Sequence, residues 1–287
     1  MYNNTGNIKQ SPSLGLCLSG GGARGFAHIG VLRILEREGI PVEILSGTSM
    51  GGVIAAGYAA GLDTYELEQI ALDGTQKKHF RHLFDPVIPN EGGFIQGKQV
   101  LEFFQQIFGE KTFADLPRKA AVVVVDLNSR REIILDEGNV ALALRATTSV
   151  PGVFKPLELD DLLLVDGGVL NNLPVDVTYQ LGADIVIAVD ISLNRESSFG
   201  HWVNNRFWMP SSITSMVEVL DGTLTTLRTA VQENNTRNYP PDLLIYPEMP
   251  ESINTFTGYQ RASESIMAGE SATEKLLPQI DALLNTY

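Results

Sequence analysis

The run Val42-Glu43-Ile44-Leu45-Ser46-Gly47-Thr48-Ser49-Met50-Gly51-Gly52-Val53-Ile54-Ala55-Ala56 changes character in its middle. Its first half, bounded by Pro41, is a short apolar run of the kind that forms a buried strand. Its second half is small and apolar, as in a tightly packed helix. Between them lies Gly47-x-Ser49-x-Gly51. A strand that turns sharply into a helix at a serine lifts the hydroxyl out at the top of a sheet. Glycines on either side leave room for the turn. The serine then stands at a helix N-terminus, where unpaired amides and the helix dipole favour negative charge. Such a place suits the formation of an oxyanion. These five residues alone also read as a serine in a glycine-rich turn, so the other parts of a catalytic site have to decide.

Upstream, Leu14-Gly15-Leu16-Cys17-Leu18 reads as a strand and Ser19-Gly20-Gly21-Gly22-Ala23-Arg24-Gly25 as a loop that no regular element tolerates. Phe26 to Glu38 has helical spacing, with Ile29, Leu32 and Leu35 on one face and Arg33, Glu36 and Arg37 on the other. This strand–loop–helix–strand unit predicts two adjacent parallel strands joined by a right-handed crossover. Downstream, helices are expected over Met50 to Ala60, 63–72, Lys98 to Phe108 and Val140 to Thr147. Ala121 to Asp126 is the β-branched run of a strand covered on both faces, with Arg131 to Leu135 as its hairpin partner. Leu162 to Val165 and Asp184 to Val189 are further strands, with a helix over Asp176 to Leu181 between them. A long helix over 211–234, a strand at Leu243 to Tyr246 and a helical region over 258–285 close the chain. The expected class is α/β, a three-layer sandwich with a mainly parallel central sheet flanked by helices. Its expected division is a flexible tail over 1–13, a catalytic domain over 14–195 and a C-terminal helical region over 196–287 packed on the same domain.

Composition narrows the function. The 287 residues are 44% hydrophobic and 19% charged, as in an ordinary globular chain. The formal net charge of −13 argues against nucleic acid as a partner. It also gives no general pull toward anionic lipid, so any membrane contact should be apolar or local. Cys17 is the single cysteine, which rules out an intrachain disulfide and fits a reducing compartment. No signal-peptide pattern or bilayer-length apolar run is seen, so the expected location is cytoplasmic, at most peripheral at a membrane. The irregular 79–95 segment and the aromatic 199–210 segment, with Trp202 and Trp208, are the two candidates for a lid or interfacial patch. For 199–210 a dimer contact or plain core is the favoured reading, and a homo-oligomer is compatible with it.

A serine hydroxyl needs a base. His28, His79, His82 and His201 are all read as surface or loop residues rather than the base. Asp166 follows an apolar strand, at the edge where open α/β sheets place their sites. Partial burial would raise its basicity, and contact with Ser49 would supply proximity. Asp166-Gly167 is also an ordinary turn dipeptide. The glycine loop has two readings. It matches the G-x-G-x-x-G dinucleotide fingerprint, but the second strand lacks the acidic residue that would hold a ribose. Alternatively, its backbone N–H groups converge to form an oxyanion hole. Arg24 would then brace loop carbonyls or add positive potential.

Taken together, Ser19 to Gly25, Gly47-Thr48-Ser49-Met50-Gly51 and Asp166-Gly167-Gly168 resemble the motifs of the bacterial patatin-like phospholipases. Ala146-Thr147-Thr148-Ser149-Val150-Pro151-Gly152-Val153-Phe154 and Asn171-Asn172-Leu173-Pro174 extend the similarity. The resemblance implies a hydrolase of lipid acyl esters, phospholipid or lysophospholipid, without metal or cofactor. Ser49 would be the nucleophile and Asp166 the general base. Gly20, Gly21, Gly22 and Met50 would supply the oxyanion hole, with Arg24, Gly25, Gly47, Gly51, Gly167 and Gly168 in support. The implied partners are a lipid or acyl-ester substrate and, transiently, a membrane surface. The chain departs from many relatives in carrying Thr147 where they carry serine, a position expected not to touch the dyad. A nucleotide-binding oxidoreductase and a catalytically weak regulatory protein on the same fold remain the alternatives.

Overall fold

The computed structural model describes residues 12–75, 85, 93–192, 211–250, 252–253 and 258–286. His79, His82, His201, most of the 79–95 segment and all of 199–210 lie outside the described residues, as does nearly all of the expected tail. The described strands are β1 (Leu14–Leu18), β2 (Ile44–Thr48), β3 (Lys119–Asp126), β4 (Arg131–Leu135), β5 (Leu157–Leu159), β6 (Leu162–Asp166), β7 (Ile185–Val189) and β8 (Leu243–Ile245). The helices are α1 (Ala27–Arg37), α2 (Met50–Ala59), α3 (Thr64–Thr75), α4 (Lys98–Phe108), α5 (Val140–Thr147), α6 (Val175–Gln180), α7 (Ser211–Asn238) and α8 (Ala262–Leu284). The short β5 was not anticipated. Gly22–Phe26, of which Gly22 to Gly25 were expected to be irregular, forms a 3-10 helix that runs straight into α1.

One eight-stranded sheet runs in the order β5-β6-β3-β2-β1-β7-β8, with β4 on β3. β1 pairs in parallel with β2 and β7, β2 with β3, and β7 with β8. Both faces are covered, and the two-residue period of the strands divides the core. Leu14, Leu16, Leu18, Leu45, Ile185, Ile187 and Val189 point into the larger core with α1, α2 and α8. Cys17, Ile44, Val186 and Ala188 point the other way, toward Val175 of α6. This is the expected three-layer arrangement.

α1 keeps the two expected faces: Ile29, Leu32 and Leu35 are buried, and only Arg33, Glu36 and Arg37 escape full burial, with α8 packed across the Ala27, Gly30 and Val31 side. The crossing is close: a Cβ on Gly30 would run into the Ile266 carbonyl, and one on Gly269 into the Ala27 carbonyl. Arg33 finds partners on both neighbours, Glu68 of α3 and Glu270 of α8, each at 2.7 Å. Among the described residues no helix is long and apolar enough to cross a membrane.

β3 explains the geometry that follows. β4 covers Val122 to Asp126, β2 covers Lys119 to Val123 and β6 covers Val124 to Asp126. A strand has two edges, so β2 and β6 share one of them, end to end. Thr48 is registered opposite Val123 and Asp166 opposite Val124. The last residue of β2 and the last residue of β6 therefore meet at one joint, approached from opposite directions.

Candidate active site

Ser49 is the first residue past that joint. It has φ 53° and ψ −126°, in the left-handed range that costs a non-glycine residue about 1–3 kcal/mol. The surroundings hold it there. Gly47 and Gly51 close the turn so tightly that a Cβ on Gly47 would lie 2.5 Å from the Gly51 backbone, and one on Gly51 would strike the Leu18 carbonyl. The Ser49 N–H donates to Thr147 Oγ1 at 2.9 Å, and Thr147 Oγ1 donates to the Val123 carbonyl at 2.6 Å. Thr147 thus ties the turn after β2 to β3 at the joint. The expectation that this position lies away from Ser49 and Asp166 is corrected: its hydroxyl fixes the Ser49 backbone.

Asp166 is 5% exposed, and its carboxyl lies close enough to Ser49 for the serine hydroxyl to lower its pKa. It also caps the following turn, accepting from the Gly168 N–H at 2.8 Å, so both readings of Asp166-Gly167 hold at once. Its own N–H donates to the Ser149 carbonyl at 3.0 Å. Burial raises its pKa, opposed by the charge of Arg228, the Ser49 hydroxyl and the Gly168 amide. Arg228, on α7, is a site residue that no sequence pattern indicated. A Cβ on Gly168 would sit 3.0 Å from both Arg228 Nη2 and Asp166 Oδ1, while Gly167 packs on the Val123 carbonyl.

The glycine loop opens on the same rim, because Leu18 is opposite Gly47. The Gly20 N–H is already bonded to the Asn172 carbonyl at 3.1 Å, and Asn172 Nδ2 donates back to the Gly20 carbonyl at 3.2 Å. The expected set of oxyanion donors therefore narrows, with Gly20 serving as an anchor. Among the described residues the amides of Gly21, Gly22 and Met50 make no hydrogen bond to another element. Thr48 Oγ1 donates to the Asn171 carbonyl at 2.8 Å, so Asn171 and Asn172 strap both rim loops from behind. Gly25 is needed because a side chain there would enter the space of Met50.

Arg24 does brace a carbonyl, but that of Ile253, ahead of α8, at 3.2 Å. Burial lowers its pKa. His28, expected at the surface, is fully buried, because α8 encloses its helix. Its Nε2 donates to the Ser19 carbonyl at 2.8 Å, and burial pushes its pKa down to about 4. An uncharged ring bonded to a loop carbonyl is a structural support. Among the described residues no cluster of His, Cys, Asp and Glu is arranged to hold a metal ion.

The family model described as patatin-like phospholipase matches residues 16–179, more than half of the chain. An NTE family protein of Mycobacterium tuberculosis is 37% identical over 183 residues, which is 63% of this chain and 50% of that protein. Neuropathy target esterase sws of Drosophila melanogaster is 33% identical over 221 residues, 73% of this chain and 15% of that protein. The chain thus spans half or less of the length of these relatives. Among solved structures, VipD from Legionella pneumophila has the same fold, with a TM-score of 0.53 at 16% identity over 94% of this chain and 67% of that one. The matched region contains Ser49, Asp166, the glycine loop and the asparagine strap, and on it the chain belongs to the patatin-like phospholipase family.

Proposed function

We propose that the protein is a serine hydrolase that cleaves acyl ester bonds of lipids, phospholipid or lysophospholipid, with Ser49 as nucleophile and Asp166 as general base. The observation that carries this reading is that Ser49 and the buried Asp166 carboxyl meet where β2 and β6 end against β3, close enough for the serine hydroxyl to act on the carboxyl. The strained Ser49 backbone supports it, as do the Gly21, Gly22 and Met50 amides, which among the described residues bond to no other element. So does the family, whose name states a phospholipase.

Ser49 Oγ attacks the ester carbonyl carbon as its proton passes to Asp166. The negative charge that forms on the carbonyl oxygen is met by the Gly21, Gly22 and Met50 amides at the N-terminus of α2. Asp166 returns the proton to the leaving alcohol oxygen, and the acyl group stays on Ser49. Water then attacks the acyl carbon, giving its proton to Asp166. That proton goes back to Ser49 Oγ as the free acid departs. Burial suits Asp166 to this role, because a desolvated carboxylate is a stronger base than a hydrated one. The substrate partner is a lipid ester, met at a membrane surface by transient contact.

The test is labelling with a fluorophosphonate probe, mapping of the modified peptide, and hydrolysis of short p-nitrophenyl esters. The label is expected on Ser49, and Ser49→Ala is expected to remove both labelling and hydrolysis. Hydrolysis that survives intact in Ser49→Ala would overturn the proposal.

A further inference from the structure

α7 reaches the rim from the far end of the chain. Two residues four apart on one face make its contacts there. Arg228 Nη2 donates to Asn172 Oδ1 at 3.3 Å, and Gln232 Nε2 donates to Asp190 Oδ2 at 2.6 Å. Asp190 follows β7 and is itself engaged by the Ser192 amide at 2.8 Å. The Gln232 contact, an uncharged amide on a carboxylate, tethers the helix to the end of β7.

The Arg228 contact is different. Its guanidinium is half-buried, its hydrogen bond goes to a neutral amide, and its charge acts on the Asp166 carboxylate. The same Asn172 side chain holds the Gly20 carbonyl through Nδ2. Arg228 therefore touches one residue that orients the glycine loop and bears electrostatically on the carboxyl beside Ser49. The neutral partners of that carboxyl are the Ser49 hydroxyl and the Gly168 amide. Among the described residues no other charged or titratable group acts on it, whether from β3, β6, the end of α5 or the asparagine strap.

We propose that Arg228 is a positioning residue for the reaction: α7 delivers a positive charge beside Asp166, keeping that carboxylate ionised, and orders the Asn172 amide that anchors the glycine loop. This rests on the Ser49–Asp166 reading above. The chemistry gives it direction. A buried carboxylate without a counter-charge takes up a proton more readily, and a protonated Asp166 cannot accept one from Ser49. Removing the Arg228 charge raises the pH at which Asp166 ionises, so activity is lost on the acid side and recovered as pH rises.

The experiment is the pH dependence of kcat/KM on p-nitrophenyl esters for the wild type, Arg228→Gln, Arg228→Met, Arg228→Lys and Gln232→Ala, with circular dichroism on each. Both neutral variants are expected to lose about tenfold at about pH 6 and to recover most of it by about pH 8. Arg228→Lys keeps the charge and should keep the wild-type acid limb. Gln232→Ala loosens the same helix without touching Asp166 and should also keep it. The proposal is overturned if the neutral variants follow the wild-type limb, if they lose activity equally at every pH, or if Gln232→Ala shifts the limb as they do. Asp166→Asn, run alongside, separates the two levels. If it still hydrolyses ester, the reading of the dyad fails. If it is inactive while Arg228→Gln follows the wild type, only the role of Arg228 fails.

Discussion

Asp126 and Asp166 look alike in the chain and stand close together in the fold. Each ends an apolar strand, in Val124-Val125-Asp126-Leu127-Asn128 and Leu164-Val165-Asp166-Gly167-Gly168. Each caps a turn, and they are 1% and 5% exposed. Desolvation is the leading influence on the Asp166 carboxyl, whereas hydrogen-bond donors lead at Asp126. Asp126 is bonded by the Ser129 side chain and accepts from the Leu163, Ser129 and Asn128 amides at 2.9, 2.8 and 3.1 Å, which hold its carboxyl well below the usual carboxylate range. Asp166 has one backbone amide and the Ser49 hydroxyl, and burial prevails. A saturated carboxylate is a strong acid and a poor base. An under-supplied one keeps affinity for a proton, and in the proposed reaction that proton comes from Ser49.

The widest separation should come from the amides. Asp166→Asn is expected to lower kcat/KM by about a thousandfold with the fold intact. Asp126→Asn should lower the melting temperature while kcat/KM per folded molecule stays within about threefold of the wild type. Equal losses of activity would break the contrast. In the wild type, the acid limb of kcat/KM should have its midpoint above the ordinary aspartate value of about 3.9, since activity disappears as pH falls through the raised value of Asp166.

His28 extends the contrast to a group whose charged form the core rejects. Its folded pKa of about 4 lies below an unfolded value of about 6.5. Its contribution is present above the unfolded value and is lost as pH falls toward the folded one. Thermal or urea unfolding should show a loss on the order of 3 kcal/mol between about pH 6.5 and 4. His28→Gln, which can still donate to the Ser19 carbonyl, should flatten that decline. An unchanged slope in the variant would assign the loss to other groups.

Thr147 offers the smallest and most local test. Thr147→Val leaves the Ser49 N–H and the Val123 carbonyl without their shared partner, at about 1–3 kcal/mol of stability. Hydrolysis should fall with it, because the hydroxyl it helps to aim is that of Ser49. Thr147→Ser keeps the bridging oxygen and should restore both. A serine variant as impaired as the valine would show that the methyl group, and not the hydrogen bonds, matters at this joint.

Much was legible in residue order because its causes are local. Short apolar runs mark β1, β2 and β7, and a glycine on each side of Ser49 marks a turn that cannot accept a side chain. Misreadings arose where a distant element intervened. His28 was taken for a surface or loop residue because nothing near it in the chain announces α8. Gly20 was counted as a free donor because Asn172 was not yet opposite it. Thr147 was set aside because its two partners come from β2 and β3.

Pattern and glycine placement were enough to establish an α/β sheet, a serine at a strand–helix turn, an aspartate at a strand end and a loop of amides, since each depends on neighbours a few residues away. Only the folded chain decided that β2 and β6 meet end to end on one edge of β3, that Asp126 is saturated with donors while Asp166 is not, and that α7 brings Arg228 to the rim. The reason is that basicity, access and charge at a site are sums over everything packed around it, and most of those groups are remote in sequence.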